Sequence, residues 1–421
     1  MSMVPYDTSF YEHCVNLSRK DSKFLERVDD ATRRILNVKN QLGLLDDFDK
    51  IYPDPADLNK IGTEESEKFN LEAARESIIL AKNENNTLPL SKNSNLRILV
   101  TGPTSNLRRV LNGGWSYSWQ GNIESLYDYG REKLTVFKAI SNKTNNVVFM
   151  QGSDFSNLIN LQETIEVAKN CDVIVTCVGE NAYSEQFGNT DSIELEESQY
   201  ILVEELAKLK KIMISVYLGG RPRLINRIVN KSHAVLIAFL PGNKGGEAIA
   251  DIIFGDFNPN GRLPITYPNV TSGFVHYDYK YIEIFEHYNA SKYILYPFGH
   301  GLSYTRFEYF GLKLDKDFYN ATKGELDISV SVSVKNSGQL SGKETIILYY
   351  NDEFATVTRP VRQVKGFTKI FLYPGETKIV EFKLNVNEHL SYIGIDNKRT
   401  FDSGYFNIYI DKLTARFGLL L

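Results

Sequence analysis

The sequence predicts an α/β fold, an α/β sandwich with a largely parallel sheet, followed by a β-sandwich. Three observations predict it. From about Leu96, short continuous apolar runs alternate with stretches of helical period, as strands covered on both faces do. After about Thr305 the apolar period becomes two. The chain has 421 residues, room for two or three domains at roughly 100–200 residues each.

The elements follow in order. Residues 1 to about 60 read as helix, turn and linker. Over 22–39, Phe24, Leu25, Val28, Ala31, Ile35 and Val38 recur at the spacing of an amphipathic helix, and Gly43 is placed to end it. A second helix is expected from about Glu65 to Asn83, with Leu71, Ala74, Ile78 and Leu80 on its apolar side. Strands are expected at 96–100, 147–150, 172–178, 212–217 and 234–240. Helices over 161–170, 196–210 and 247–254 accompany them. Ligands of open α/β sheets bind beyond the carboxyl ends of the strands. That rule directs attention to Gly102, Gly179-Glu180 and Gly219-Gly220. Beyond Thr305, Ile328, Val330, Val332 and Val334 alternate on one face, and Asn336-Ser-Gly338 turns the chain. Further runs at 345–350, 377–384 and 405–410 complete a sandwich of about 110 residues.

Composition narrows the function. A net charge of −4 and a pI near 6.0 give no electrostatic footprint for nucleic acid or an anionic membrane. No apolar run reaches the length of a membrane span. Cys14, Cys171 and Cys177 are too sparse for a disulfide framework. The histidines (His13, His233, His276, His287, His300, His389) share no metal-ligand spacing, so no metal and no cofactor is expected. Abundant Tyr and Phe suit the flat faces of sugars and equally suit strands. Asn-x-Ser/Thr acceptors at Asn16, Asn85, Asn142, Asn230, Asn269, Asn289 and Asn320 point to a secreted or lysosomal protein, although the first residues are no signal peptide.

Two stretches could carry chemistry. Val178-Gly-Glu-Asn-Ala-Tyr-Ser-Glu-Gln-Phe-Gly188 leaves a central strand for a loop. It holds Glu180 and Glu185 with Tyr183 between them, and a loop at a strand end can present a general acid to a leaving group. The alternative is that Glu180 caps a neighbouring segment while Glu185 is solvated. The second stretch is Gly113-Gly-Trp-Ser-Tyr-Ser-Trp-Gln-Gly121, which holds both tryptophans of the chain. An exposed indole stacks on a pyranose face; the alternative is that Trp115 or Trp119 plugs the sheet edge. Gly242-Asn-Lys-Gly-Gly-Glu-Ala248 reads as a tight strand–helix turn, since it lacks a phosphate-loop pattern.

These stretches, in this order, resemble glycoside hydrolase family 3, of the β-glucosidase and exo-β-glucanase type. Gly114–Gly121 resembles the family's Gly-Gly-Trp…Trp-Gln-Gly segment, and Gly179–Glu185 resembles its acid/base loop. Met3-Val-Pro5 looks like the end of the family's (β/α)₈ barrel, and Leu80–Asn83 with Leu88-Pro-Leu90 like the entry to its second domain. Gly255-Asp-Phe-Asn-Pro-Asn-Gly-Arg-Leu-Pro264 and Tyr296-Pro-Phe-Gly-His-Gly-Leu-Ser-Tyr304 are similar to family signatures. Val334–Gly338 with Gly342-Lys-Glu344 resembles a fibronectin type III-like domain. The implied organisation is a barrel remnant and linker over 1–61, an α/β sandwich domain over 62–268, a connecting segment over 269–304 and the fibronectin type III-like domain over 305–421.

The resemblance implies a retaining β-glucosidase, with two carboxyl groups flanking the glycosidic bond. Glu185 falls on the acid/base position, with Glu180 the runner-up. Trp119, with Trp115 and Tyr183, falls among the substrate-binding residues. The implied partner is a β-glucoside or β-glucan oligosaccharide. The nucleophilic Asp belongs to a barrel strand before the Met-Val-Pro segment. A barrel takes about 250 residues, and only about 60 of barrel-like and linker sequence are present. The chain alone is therefore expected to be inactive, needing an N-terminal barrel-containing half. The competing expectation is a non-catalytic carbohydrate-binding or scaffolding protein descended from such an enzyme. Asn189 stands where many members have Asp, which bears on fine specificity.

Overall fold

A computed structural model describes residues 2–46, 51–271, 292–324 and 326–420. Two compact units result, 1–66 and 67–421. The first holds α1 (Ser9–Ser18) and α2 (Ser22–Gln41). Asp21 caps α2, accepting from the backbone N–H groups of Lys23 at 2.9 Å and Phe24 at 3.3 Å. Gly43, at φ +71, follows the last turn as a glycine C-cap does.

The second unit is built on a six-stranded sheet. After α3 (Glu64–Ser77) come β1 (Ile79–Asn83), β2 (Ile98–Thr101), α4 (Arg109–Asn112), α5 (Val136–Ser141), β3 (Val147–Met150) and α6 (Leu161–Lys169). Then follow β4 (Val173–Gly179), α7 (Glu197–Ala207), β5 (Ile212–Leu218), α8 (Asn226–Val229), β6 (Ala234–Phe239) and α9 (Gly245–Ile253). The order is β1-β6-β5-β4-β2-β3, parallel except for β1 on the edge. Alternate residues of one strand enter opposite cores. Val100, Val175 and Ile214 pack towards α5 and α9, while Leu99, Ile174 and Met213 pack towards α6 and α7. Cover on both faces explains the continuous apolar runs.

One expected element is corrected. The helix predicted from Glu65 to Asn83 ends at Ser77, and Ile79–Asn83 is a strand antiparallel to β6. Ile78, Ile79, Leu80 and Ala81 are four consecutive buried residues. A helix would turn some of them outward. An extended edge strand sends Ile78 and Leu80 into one core and Ile79 and Ala81 into the other.

A short ladder of β7 (Tyr267–Pro268) and β8 (Ile294–Tyr296) leads towards the sandwich. Most of the expected connecting segment, with Asn289, His276 and His287, lies outside the described residues. The sandwich comprises β9 (Phe307–Leu314), β10 (Phe318–Asn320), β11 (Asp327–Asn336), β12 (Gly342–Asp352), β13 (Gln363–Leu372) and β14 (Thr377–Asn385). The small ladder β15 (Tyr392–Ile393) and β16 (Arg399–Thr400) follows, then β17 (Gly404–Ile410) and β18 (Leu413–Leu420). One sheet runs β10-β18-β17-β12-β13 and the other β14-β11-β9. Ile328, Val330, Val332 and Val334 all face the core between them.

The two signature stretches of the connecting region fasten the sandwich to the α/β layers. Arg262 Nη2 donates to both carboxylate oxygens of buried Glu344, at 2.7 and 2.6 Å, and the Tyr309 hydroxyl donates to the same carboxylate at 2.6 Å. Asn258 accepts from Ser303 Oγ and Tyr304 N, both at 2.8 Å, and donates to Ser341 O at 3.0 Å. His300 Nε2 lies 2.7 Å from Ala81 O, and its ring stacks on Tyr296. Glu76 of α3 is gripped by Lys343 and Lys369 of the sandwich.

Candidate active site

The carboxyl end of β4 and the segment that follows β2 and α4 bring the two chemical stretches together. Gly179, the last residue of β4, has φ +150, and a Cβ there would lie 1.7 Å from Leu218 O. Only glycine fits that approach. Buried Gln199 of α7 fixes the same residue twice, accepting from Gly179 N at 2.8 Å and donating to Gly179 O at 3.0 Å. The chain thus leaves β4 in one direction, into 180–188.

Glu180 turns inward. It is buried, with Oε1 2.9 Å from Arg221 Nε and 2.9 Å from Arg223 Nε. Two guanidinium groups at this range hold it as a matched internal charge. Glu185 does the opposite. It is exposed, opens a single 3₁₀ turn (Glu185–Gly188) and has φ +50. A left-handed backbone at a non-glycine residue costs about 1–2 kcal/mol, and such strain gathers where a side chain must be aimed. Its Oε2 accepts from Trp119 Nε1 at 3.2 Å.

The tryptophan loop meets this loop backbone to backbone. A Cβ on Gly114 would lie 2.3 Å from Tyr183 O. Ser184 N donates to Gln120 Oε1 at 2.9 Å, Gln120 Nε2 donates to Ser184 O at 3.2 Å, and Ser184 Oγ donates to Trp119 O at 3.0 Å. Trp115 N donates to Trp119 O at 2.9 Å, and Trp115 and Tyr117 both have φ +60. The loop is thereby closed on itself, with its indoles outward. Trp115 is 69% exposed and Trp119 44%. Phe187 stands edge-on to Trp119, ring centroids 5.4 Å apart. The site is therefore a surface carboxylate beside a row of aromatic faces, a group able to give or take a proton next to flat apolar surface.

Each sequence-derived residue has a place here. Glu185, Trp119 and Trp115 stand together at the surface. Tyr183 is half-buried instead: the Arg221 guanidinium covers its ring at 4.1 Å, and its hydroxyl points at Glu180 Oε2, 3.5 Å away. Burial, with the Glu180 charge adding, raises its phenol above the ordinary value. Arg221, Gln120 and Phe187 have no role in the reading of the sequence. Gln120 lay inside the quoted motif. Arg221 meets a carboxylate 41 residues away, a pairing no local pattern reveals. Among the described residues no group of His, Cys, Asp and Glu could hold a metal ion, and no helix is long and apolar enough to cross a membrane.

A mixed sheet with a strand-end carboxylate loop, joined to a β-sandwich, is the architecture observed, and comparison with known proteins gives its family. Residues 78–304 match the glycosyl hydrolase family 3 C-terminal domain, and 344–413 match a fibronectin type III-like domain. The chain belongs to glycoside hydrolase family 3. It is 36% identical to a lysosomal beta glucosidase of Dictyostelium discoideum, over all of this chain and 52% of that protein. It is 32% identical to a periplasmic beta-glucosidase of Salmonella typhimurium, over 99% of this chain and 58% of that protein. The beta-glucosidase of Listeria innocua, solved in complex with glucose, superposes with a TM-score of 0.84 at 26% identity, over 99% of this chain and 58% of that one. The chain thus spans about half the length of the curated relatives it matches.

Proposed function

We propose that this chain supplies the acid/base half of a retaining β-glucosidase, with Glu185 as the group that moves the proton. The observation that carries this reading is the divided fate of the two carboxylates. Glu180 is buried between two arginines, while Glu185 is exposed, strained and bonded to Trp119. In the forward step Glu185 gives its proton to the departing glycosidic oxygen as the C–O bond breaks. In the second step, as a carboxylate, it takes a proton from water as that water's oxygen bonds to the anomeric carbon and the bond from that carbon to the attacking carboxylate of the other segment breaks. Trp119, with Trp115, forms the wall for the sugar beyond the scissile bond. Tyr183 serves them from below, by holding the loop.

The carboxylate that attacks the anomeric carbon comes from outside these 421 residues, on a barrel-bearing segment. The apolar side of α2, with Leu25, Ile35, Leu36 and Val38 exposed, supports a further segment against it. The substrate class is a β-glucoside or β-glucan oligosaccharide, in keeping with the names of the relatives. A secretory or lysosomal setting fits both those names and the acceptor asparagines. Asn16, Asn85, Asn142 and Asn230 are exposed.

The test has two arms. The 421 residues alone should not hydrolyse an aryl β-glucoside, and turnover by the purified chain would contradict the divided site. Supplied with a family 3 barrel segment, the wild type should turn over, and E185Q should lose about 10²–10⁴ in rate. An E185Q rate unaffected on natural glucosides, whose leaving groups need a proton, would move the role to Glu180. If neither arrangement turns over but glucan oligosaccharides bind, the chain is the non-catalytic binding protein of the competing reading.

A further inference from the structure

We propose that Arg221 is a positioning residue for Glu185, holding both ends of the acid/base loop so that the carboxylate keeps its strained aim. This rests on the reading of Glu185 given above. Arg221 follows Gly219-Gly220 at the end of β5. Its guanidinium makes three contacts with the loop 180–188. Nε donates to Glu180 Oε1 at 2.9 Å, at the loop's entry. Nη1 donates to Gly188 O at 2.7 Å, at its exit. Its flat face lies 4.1 Å from the centroid of the Tyr183 ring, in the middle. A planar fork with a stacking face can make all three contacts at once, whereas an ammonium cannot.

The anchor is itself fixed. The hydroxyl of Tyr217, a buried residue of β5, donates to Arg221 O at 2.5 Å. A Cβ on Gly219 would lie 2.5 Å from that hydroxyl and 3.2 Å from Glu180 Oε2, so the turn admits nothing larger. The loop needs such an anchor. Glu185 at φ +50 is a conformation that a free loop would relax. Gly188 sits against the edge of Tyr183, where a Cβ would approach to 2.2 Å, so releasing the Arg221–Gly188 bond frees the end of the turn that Glu185 begins. The hydrogen bonds of the Arg221 guanidinium go to Glu180 and Gly188 and not to Glu185, so its action on Glu185 is through the loop.

The chain's two tryptophans both lie in the facing loop, so tryptophan fluorescence, excited beyond the tyrosine absorption band, reports this site alone. E185Q should change the emission by altering the Trp119 hydrogen bond. R221K leaves Arg223 beside Glu180 and so leaves no bare buried carboxylate. It should reproduce at least half of the E185Q change while far-UV circular dichroism stays as in wild type. The double variant R221K/E185Q should change no further than E185Q. Should R221K fail to fold, the pair E180Q/R221Q, which removes both charges together, carries the same test.

An emission unchanged in R221K beside a changed E185Q overturns the proposal, and so do fully additive effects. An E185Q emission equal to wild type instead removes the Glu185 site itself. With the barrel segment supplied, R221K should lower kcat/KM, which reports the glycosylation step, at least tenfold more on a methyl β-glucoside than on a dinitrophenyl β-glucoside, which needs little protonation. Equal losses on both substrates mark a merely structural residue and overturn the proposal.

Discussion

Glu185 lies at the surface on a backbone turned to φ +50, hydrogen-bonded to an indole that is itself exposed. Glu344 is buried and receives hydrogen bonds from Arg262 and Tyr309. Both lie in stretches that resemble family signatures, yet the physical terms are opposite. The joint between sheet and sandwich satisfies its charges and hides them. The loop at the end of β4 holds a strained backbone and leaves one carboxylate that pairs with no cation among the described residues. A signature in sequence therefore does not say whether a residue reacts or fastens; burial and partners decide that. The same contrast recurs within the loop, where Glu180 fastens, five residues before Glu185.

The comparison breaks most visibly at the joint. R262A leaves Glu344 buried with, among the described residues, only the Tyr309 hydroxyl to face it, and should cost about 3 kcal/mol of stability. Urea unfolding would show it, with tryptophan emission of the native state unchanged, since both indoles belong to the other region. A smaller effect of opposite sign is expected at the loop. E185G removes the Cβ that makes φ +50 costly and should stabilise by about 1 kcal/mol, while ending catalysis. If E185G destabilises instead, Glu185 is held by contacts and not strained.

The least of these effects concerns pH, at the end of β12 away from Glu344. Burial raises the Asp352 carboxyl from 3.8 to about 6, with the Asp402 charge adding. Among the described residues its Oδ1 finds no donor. A carboxyl raised in the fold binds its proton more tightly there than in the unfolded chain. Its ionisation therefore erodes stability as pH rises from 3.8 through about 6. D352N should flatten that slope and add roughly 1 kcal/mol at neutral pH. Urea midpoints at about pH 5 and about pH 7 measure it. Glu76 at the joint works the other way. Burial would raise its carboxyl, but the bonds from Lys343 and Lys369 outweigh that and leave it below 4.5, so its contribution fades on acidification.

Much of the fold was legible because burial on two faces writes unbroken apolar runs, and burial on one face writes alternation. The strands at Val147–Met150 and Val173–Gly179 and the inward row from Ile328 to Val334 are cases of each. The edge strand Ile79–Asn83 was not, because its short apolar run continues the period of the helix before it, and only the approach of β6 draws it out straight. Strands Phe307–Leu314 and Gln363–Leu372 mix aromatic and charged residues on faces that are half-covered, so neither period emerges. At the site, glycines and tryptophans marked the place. The resemblance already ranked Glu185 before Glu180; what spacing alone left open is the clamp on Glu180 by Arg221 and Arg223, which the fold delivers from another strand end.

The central claim is that Glu185, and not Glu180, handles the proton. The direct measurement compares E185Q and E180Q, each supplied with a barrel segment, on a dinitrophenyl and a methyl β-glucoside. The account predicts that E185Q loses about 10²–10⁴ on the methyl glucoside and far less in the glycosylation of the dinitrophenyl substrate, whose leaving group needs no acid. E180Q should lower both by one common factor. The reverse pattern, with the leaving-group dependence following Glu180, would contradict it.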